Sequence, residues 1–491
     1  MTEPDDNITR RRFVRTAAGS AAAVIGGAAA LLAACERQAV LPTASLDPDA
    51  RPWWGTAPPV PVTRYPLRIP TTVSPAALLL AAGPISFDLG GGRKSKGLGY
   101  NGLVPGPVIR ARNGDAANIT VANNLSEITT VHWHGMTVPD VADGGPQQAF
   151  AAGTSYEYNF RINQRACTNW YHPHPHMLTA TQVYHGLAGM FIVDDDQEQS
   201  LGLPSGAYEV SMVLKDVQVD SAGNLAYSAD HDGFLGRIPV VNGTRDPYLD
   251  VDTALYRIRI VNGSQSRIWH LSLSTGAPLV VIGNDGGLLE APVVASPIDF
   301  GPGERLDLLI DFRGLAVGTR VMLNSASAGW DTWGGSDSFS VLEFRVARQV
   351  NVPAAIPSAL STITRLSNPV RTRDFAFGGW PPHTINGREY DMNRIDFEVP
   401  FGQTERWRFK WEQGVAHPVH VHATSFQVQS RSGGRAQVMP WERGWKDTVL
   451  VGQRETVDVL LRFGQFRGVY MLHCHNLEHE DRGMMMNFKV V

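Results

Sequence analysis

The stretch Val469-Tyr470-Met471-Leu472-His473-Cys474-His475, followed by His479 and Met484, decides how the 491-residue chain is read. Apolar residues lead into a run of metal-binding side chains, which reads as a buried strand that ends at a site. Side chains on a strand alternate between faces, so Cys474 points one way and His473 and His475 the other. One short segment can therefore serve two metal sites, joined by the backbone of Cys474.

On the cysteine side, a thiolate, the His479 imidazole and the Met484 thioether lack only a second imidazole. Thiolate, two imidazoles and a weak axial methionine make the ligand set of a blue-copper electron-transfer site. Zinc is the alternative, but it prefers four strong N or S ligands in a closed tetrahedron.

Working outward, His420 and His422 share one face of a strand, and His417, three positions before His420, lies on the other if that strand is regular. His417 is then the second imidazole for Cys474. In the first third of the chain, His132 and His134 flank Trp133, and His172 and His174 follow Trp170-Tyr171. One such i, i+2 pair means little, because histidines on strands are common. Two pairs can meet His420, His422, His473 and His475, and eight imidazoles would hold about three metal ions at two or three rings each. Such a site forms only where the first and last parts of the chain touch. The other histidines, His176, His185, His231, His270 and His383, read as structural or solvent-exposed.

Three segments repeat one plan. Asn101-Gly102, Asn242-Gly243 and Asn386-Gly387 are turn signals, each followed by an alternating strand (117–121, 256–260, 405–409) and later by a glycine and a strand ending in phenylalanine (153–160, 303–312, 452–463). The period, about 145 residues, is far too long for a solenoid. Three copies of one β domain, each a Greek-key sandwich or barrel, is the economical reading. The expected division is a leader at 1–35, a Pro/Ala-rich linker at 36–60, and domains at 61–200, 201–350 and 351–491. A second linker lies near 350–369.

Composition agrees. Charged residues are 18% of the chain, with 49 glycines and 32 prolines, which favours short strands and turns over long helices. A net charge of −4 gives no reason to expect a nucleic-acid partner. The leader carries Arg10-Arg11-Arg12-Phe13 before an Ala/Gly-rich stretch and resembles a twin-arginine export signal. Leu32-Ala33-Ala34-Cys35 resembles a lipobox, so the mature protein is either lipid-anchored at Cys35 or freed by ordinary cleavage. The chain is expected in the periplasm or cell envelope, as a monomer. Cys167 has no evident partner, a bridge to Cys35 being the one open pairing.

The four motifs in this order resemble the multicopper oxidases, from about residue 62 to the end, and within them the three-domain bacterial laccase-like and cuprous-oxidase types. The resemblance implies an all-β fold of three cupredoxin domains, the middle one without copper, and four copper ions. His417, Cys474, His479 and axial Met484 would bind type 1 copper. His132 and His420 would bind type 2, and His134, His172, His174, His422, His473 and His475 the type 3 pair. Asp143 and Glu480 match acidic residues to which the family assigns proton delivery. The implied reaction couples four one-electron oxidations to the reduction of dioxygen to water.

Two departures concern the donor. The methionine-rich insert of enterobacterial cuprous oxidases is reduced here to Met392 in the region 348–392, and an acidic residue of their substrate copper site is replaced by Gln413, beside Glu412. Phenols or aromatic amines are therefore expected before Cu(I), although the run Met484-Met485-Met486 offers further thioethers. A copper-free envelope scaffold of the same fold is the competing reading of another class.

Overall fold

The computed structural model describes residues 62–491, except 231, 327–329, 331–336 and 379–381. The leader, the first linker, Cys35 and His231 lie outside the described residues. Among the described residues, no helix is long and apolar enough to cross a membrane.

The described residues form six β-sheets. Three of them share one strand order. In the first, Lys94–Tyr100, Leu78–Asp88, Ala116–Asn123 and Ser155–Arg161 lie side by side. The middle pair is parallel and the flanking pairs are antiparallel. Ile238–Val241, Glu209–Val217, Leu255–Asn262 and Arg305–Asp311 repeat this order, as do Thr384–Ile385, Thr372–Gly378, Thr404–Trp411 and Glu455–Arg462.

The repeat is fixed locally by the Asn-Gly turns. Each turn holds both residues at positive φ: 53° and 74° at Asn101-Gly102, 49° and 67° at Asn242-Gly243, 54° and 72° at Asn386-Gly387. Asparagine and glycine are the residues that accept this hairpin geometry. Each asparagine also clamps the neighbouring strand, its Oδ1 accepting from the N–H of Ala81, Val213 or Ala376 and its Nδ2 donating to the carbonyl of Leu79, Ser211 or Asp374.

Each repeated sheet packs on a second sheet, and alternation buries one row of side chains between them. Leu80, Ile119 and Tyr158 meet Trp133 and Phe191 in the first core, Ile258 and Ile260 meet Trp269 and Phe344 in the second, and Trp407 and Phe409 meet Leu472 and Phe488 in the third. Burying each such side chain fully contributes roughly 1.5–3 kcal/mol.

Leu255–Asn262 departs from plain alternation, being buried at every position. Its outward Arg257 and Arg259 are covered and paired with Glu198, Glu209 and Asp307. Buried charges need such partners.

The second sheets of the first and last repeats carry the histidines. His132–His134 pairs with Cys167–His172, with His132 opposite His172. His417–Val421 pairs with Gly468–Cys474, with His420 opposite His473. Just past Cys474, Asn476 caps the short helix Leu477–Asp481 by accepting from the His479 N–H at 3.3 Å, which folds His479 back toward Cys474.

Candidate metal centre

Two buried clusters lie on opposite faces of the strand Gly468–Cys474. On one face the Cys474 Sγ is 3.2 Å from the His417 Nδ1 and 3.7 Å from the His479 Nδ1, and the two imidazole nitrogens are 3.2 Å apart. Met484 is fully buried in the same core, and its carbonyl accepts the Cys474 N–H at 3.1 Å. Burial pushes the Cys474 thiol up, so a bound metal would displace its proton.

On the other face eight further histidines come together, each 1% exposed or less. The first and last segments interleave. The His132 ring stacks on His422 at 3.9 Å and His134 on His420 at 3.6 Å, while the His473 Nε2 lies 3.3 Å from the Nε2 of His174 and 3.1 Å from that of His422. His172 and His475 complete the group, ring centroids 5.3 Å apart. The structure thus brings His417 and His479 to Cys474 on one face and the other eight of these histidines together on the opposite one.

These residues fit metal ions. Nε2 of His132, His172 and His420, Nδ1 of His134 and both nitrogens of His475 are buried without a hydrogen-bond partner. Buried polar atoms are rarely left so unless an ion or water takes them. Burial, then neighbouring histidines, lowers the imidazole pKa values of His132, His134, His174, His422 and His475, and burial lowers that of His172 to about 3 despite its bond to the Pro173 carbonyl. The lone pairs are therefore free of protons at neutral pH. Sets of three ligand atoms within 4.8 Å of one another occur at His132, His420 and His422, at His174, His422 and His473, and at His417, Cys474 and His479.

Carboxylates hold the outer edges of the rings. Asp143 Oδ2 accepts from the His422 Nδ1 at 2.7 Å, and the Asp143 carbonyl from the His132 Nδ1 at 2.7 Å. Glu480, fully buried, sits 3.2 Å from the Nδ1 atoms of both His174 and His473, off the line of a good hydrogen bond. A third carboxylate, Asp447, contacts His134 and His420. Burial would push its carboxyl up, but Arg305 and then His134 hold it well below the usual range. Sequence reasoning missed Asp447 because Lys446-Asp447-Thr448 reads as an ordinary strand entry.

Gly303, at φ +81°, is where the middle segment meets the cluster: a Cβ there would lie 2.9 Å from the His475 ring and 3.2 Å from His134. Gly303→Ala is expected to displace both rings. Metal content of the purified variant should fall below that of the wild type, and an unchanged content would mean the rings can yield.

Beside the cysteine cluster a cavity of about 480 Å³ is lined by Phe377, His383, Trp411, Glu412, Gln413 and His479, among others. The Trp411 ring meets His417 edge-on at 4.3 Å, and His383 stacks on His479 at 4.3 Å and 25°. His383, which the sequence places among the structural or exposed histidines, therefore belongs to this site. Its isolation between prolines and a turn gives no local signal. Met485 and Met486 are buried in apolar clusters and do not line the cavity. Cys167 is buried and, among the described residues, unbridged; its open pairing with Cys35 lies outside them.

Three β cores, with a cysteine–histidine site and an eight-histidine cluster on opposite faces of one strand, suit a multidomain cupredoxin-like protein whose donor set fits copper. Family models described as multicopper oxidase match residues 83–198 and 355–491. The multicopper oxidase mco of Staphylococcus haemolyticus is 33% identical over 81% of this chain and 84% of its own length. The laccase of Bacillus subtilis is 31% identical over 79% and 88%, and the cell division protein FtsP of Escherichia coli 32% over 80% and 85%. The crystal structure of the McoA multicopper oxidase of Aquifex aeolicus superposes with a TM-score of 0.82 at 34% identity, covering 87% of this chain and all of that one. The chain belongs to the multicopper oxidase family.

Proposed function

We propose that the protein is a laccase-like oxidase that takes electrons singly from small phenols or aromatic amines and uses them to reduce dioxygen to water. In this reading His417, Cys474, His479 and Met484 hold type 1 copper, His132 and His420 type 2, and His134, His172, His174, His422, His473 and His475 the type 3 pair. Bound copper supplies one-electron redox chemistry at the first site and dioxygen reduction at the second. The domains run 61–200, 201–350 and 351–491 in a monomer, exported by a twin-arginine leader at 1–35 and either anchored through Cys35 or released.

The observation that carries this reading is the junction at Cys474. Its thiol belongs to one cluster while its neighbours His473 and His475 belong to the other, and its carbonyl accepts from the His473 Nδ1 at 3.0 Å. The chain thus offers a covalent path and a hydrogen-bonded shortcut between the sites. Phe377, Trp411 and His383 give the cavity aromatic walls suited to a flat ring, and among the described residues no methionine lines it to favour Cu(I). Asp143 and Glu480, on the outer edges of the cluster, are placed to exchange protons with groups reacting there.

The test is oxygen uptake by one copper-loaded preparation, given an electron-rich phenol or Cu(I). Faster uptake with the phenol is expected. Faster uptake with Cu(I) would make copper detoxification the function. No uptake with either would favour the scaffold reading that the likeness to FtsP raises.

A further inference from the structure

The outer hydrogen bonds of the histidines decide which ring nitrogen each presents. His132, His172 and His420 tie Nδ1 to the carbonyls of Asp143, Pro173 and Asp447, leaving Nε2 facing the cluster. His174, His422 and His473 also turn Nε2 inward. His134 is reversed. Its Nε2 lies 3.0 Å from the Asp447 Oδ1 and 3.1 Å from the Thr448 Oγ1, and Nδ1 is the atom left unbonded.

Asp447 is itself held on every side. Arg305, reaching in from the middle sheet, forks onto both carboxylate oxygens, with Nη1 2.6 Å from Oδ1 and Nη2 bonded to Oδ2. The same guanidinium donates to the carbonyls of Thr168 and Gly303 at 2.9 Å each. Asp285 Oδ2 accepts from the backbone N–H groups of Asp447 and Thr448 at 3.4 and 3.3 Å. All these groups are buried. His134, His420 and Asp447 also have the spacing of a metal site, but the guanidinium fork already takes the carboxylate, which makes it an anchor rather than an ion cage.

We propose that Asp447, clamped by Arg305, is a positioning residue that commits His134 to present Nδ1 and His420 to present Nε2 to the metal cluster. The inference rests on the copper reading above. An ionised carboxylate only accepts, so it takes the Nε2–H of His134 and leaves the lone pair on Nδ1. The carbonyl of the same residue takes the Nδ1–H of His420, with the opposite result, and the side chain also reaches this ring, its Oδ1 lying 3.4 Å from the His420 Nδ1. Hydrogen bonds of this kind fix the tautomer and aim of metal-ligating histidines. The middle third of the chain, which contributes no ligand among the described residues, thereby shapes the cluster through one arginine.

The test compares copper-loaded wild type, Asp447→Asn and Arg305→Lys by copper content, the electron paramagnetic resonance of the type 2 ion, and the rate of copper loss to a chelator. An asparagine amide can donate as well as accept, so the tautomer is no longer dictated. Asp447→Asn is expected to bind cluster copper roughly 10–100-fold more weakly and to shift the type 2 spectrum, with a smaller effect in Arg305→Lys and blue absorption unchanged in both. A merely structural role would lower thermal stability without moving the spectrum, and that result, or unchanged copper release, overturns the proposal. If Asp447→Asn does not fold, the crystal structure of copper-loaded wild type decides: ligation by the His134 Nε2 overturns it, ligation by Nδ1 upholds it. A wild type that takes up no copper at all overturns the copper reading too, whereas full copper with an unaffected variant overturns this inference alone.

Discussion

Cys474→Ser is expected to abolish blue absorption and reduce donor-driven oxygen uptake to background, while the copper of the histidine cluster stays in place. The Sγ is 3.2 Å from the His417 Nδ1 and 3.7 Å from the His479 Nδ1, and a soft thiolate is what distinguishes this ligand set. A serine hydroxyl is hard, and at neutral pH it keeps its proton. The eight-histidine cluster takes nothing from the Cys474 side chain, and the backbone between His473 and His475 is unaltered. Copper per chain, visible absorption and oxygen uptake measured on one preparation check this. Retained blue colour, or turnover near that of the wild type, would remove Cys474 from the electron path.

Asp143→Asn is expected to slow oxygen reduction by about 10²–10⁴-fold, the usual worth of a positioned proton donor, and to leave blue absorption intact. Burial, then the nearby Asp140, pushes the Asp143 carboxyl well up, which favours its protonated form. Its Oδ2 contacts the His422 Nδ1, while Oδ1 has no hydrogen-bond partner and lies 3.7 Å from the His132 Nδ1. Asparagine fills the same space and can still accept from His422, so the rings keep their places and only proton exchange is lost. Anaerobic reduction followed by an oxygen pulse separates the steps: reduction by the donor should be unchanged and reoxidation slowed. Equal reoxidation rates would exclude Asp143 from proton delivery.

Much of this site is legible in the sequence because a strand has a period of two. That period alone puts Cys474 and His417 on one side and His420, His422, His473 and His475 on the other. The Asn-Gly pairs are legible for a similar reason, since few residues tolerate two successive positive φ values. What escapes is whatever distant packing decides. Asp447 matters because Arg305, 142 positions earlier, closes on it. His383 matters because its ring lands on His479. Arg257 and Arg259 alternate as an exposed row would, yet the carboxylates of Glu198 and Glu209 come from a neighbouring segment to cover them. No local pattern encodes those meetings.

The stacking of His132 on His422 and of His134 on His420 has a consequence for the order of events in the cell. A ribosome that has not reached residue 417 has made only His132, His134, His172 and His174 of the eight rings, and none of the cysteine site. Metal captured in its final form therefore records that translation has passed residue 475 and that the two histidine-bearing segments have docked. The cluster serves, in effect, as a receipt for the meeting of those two segments.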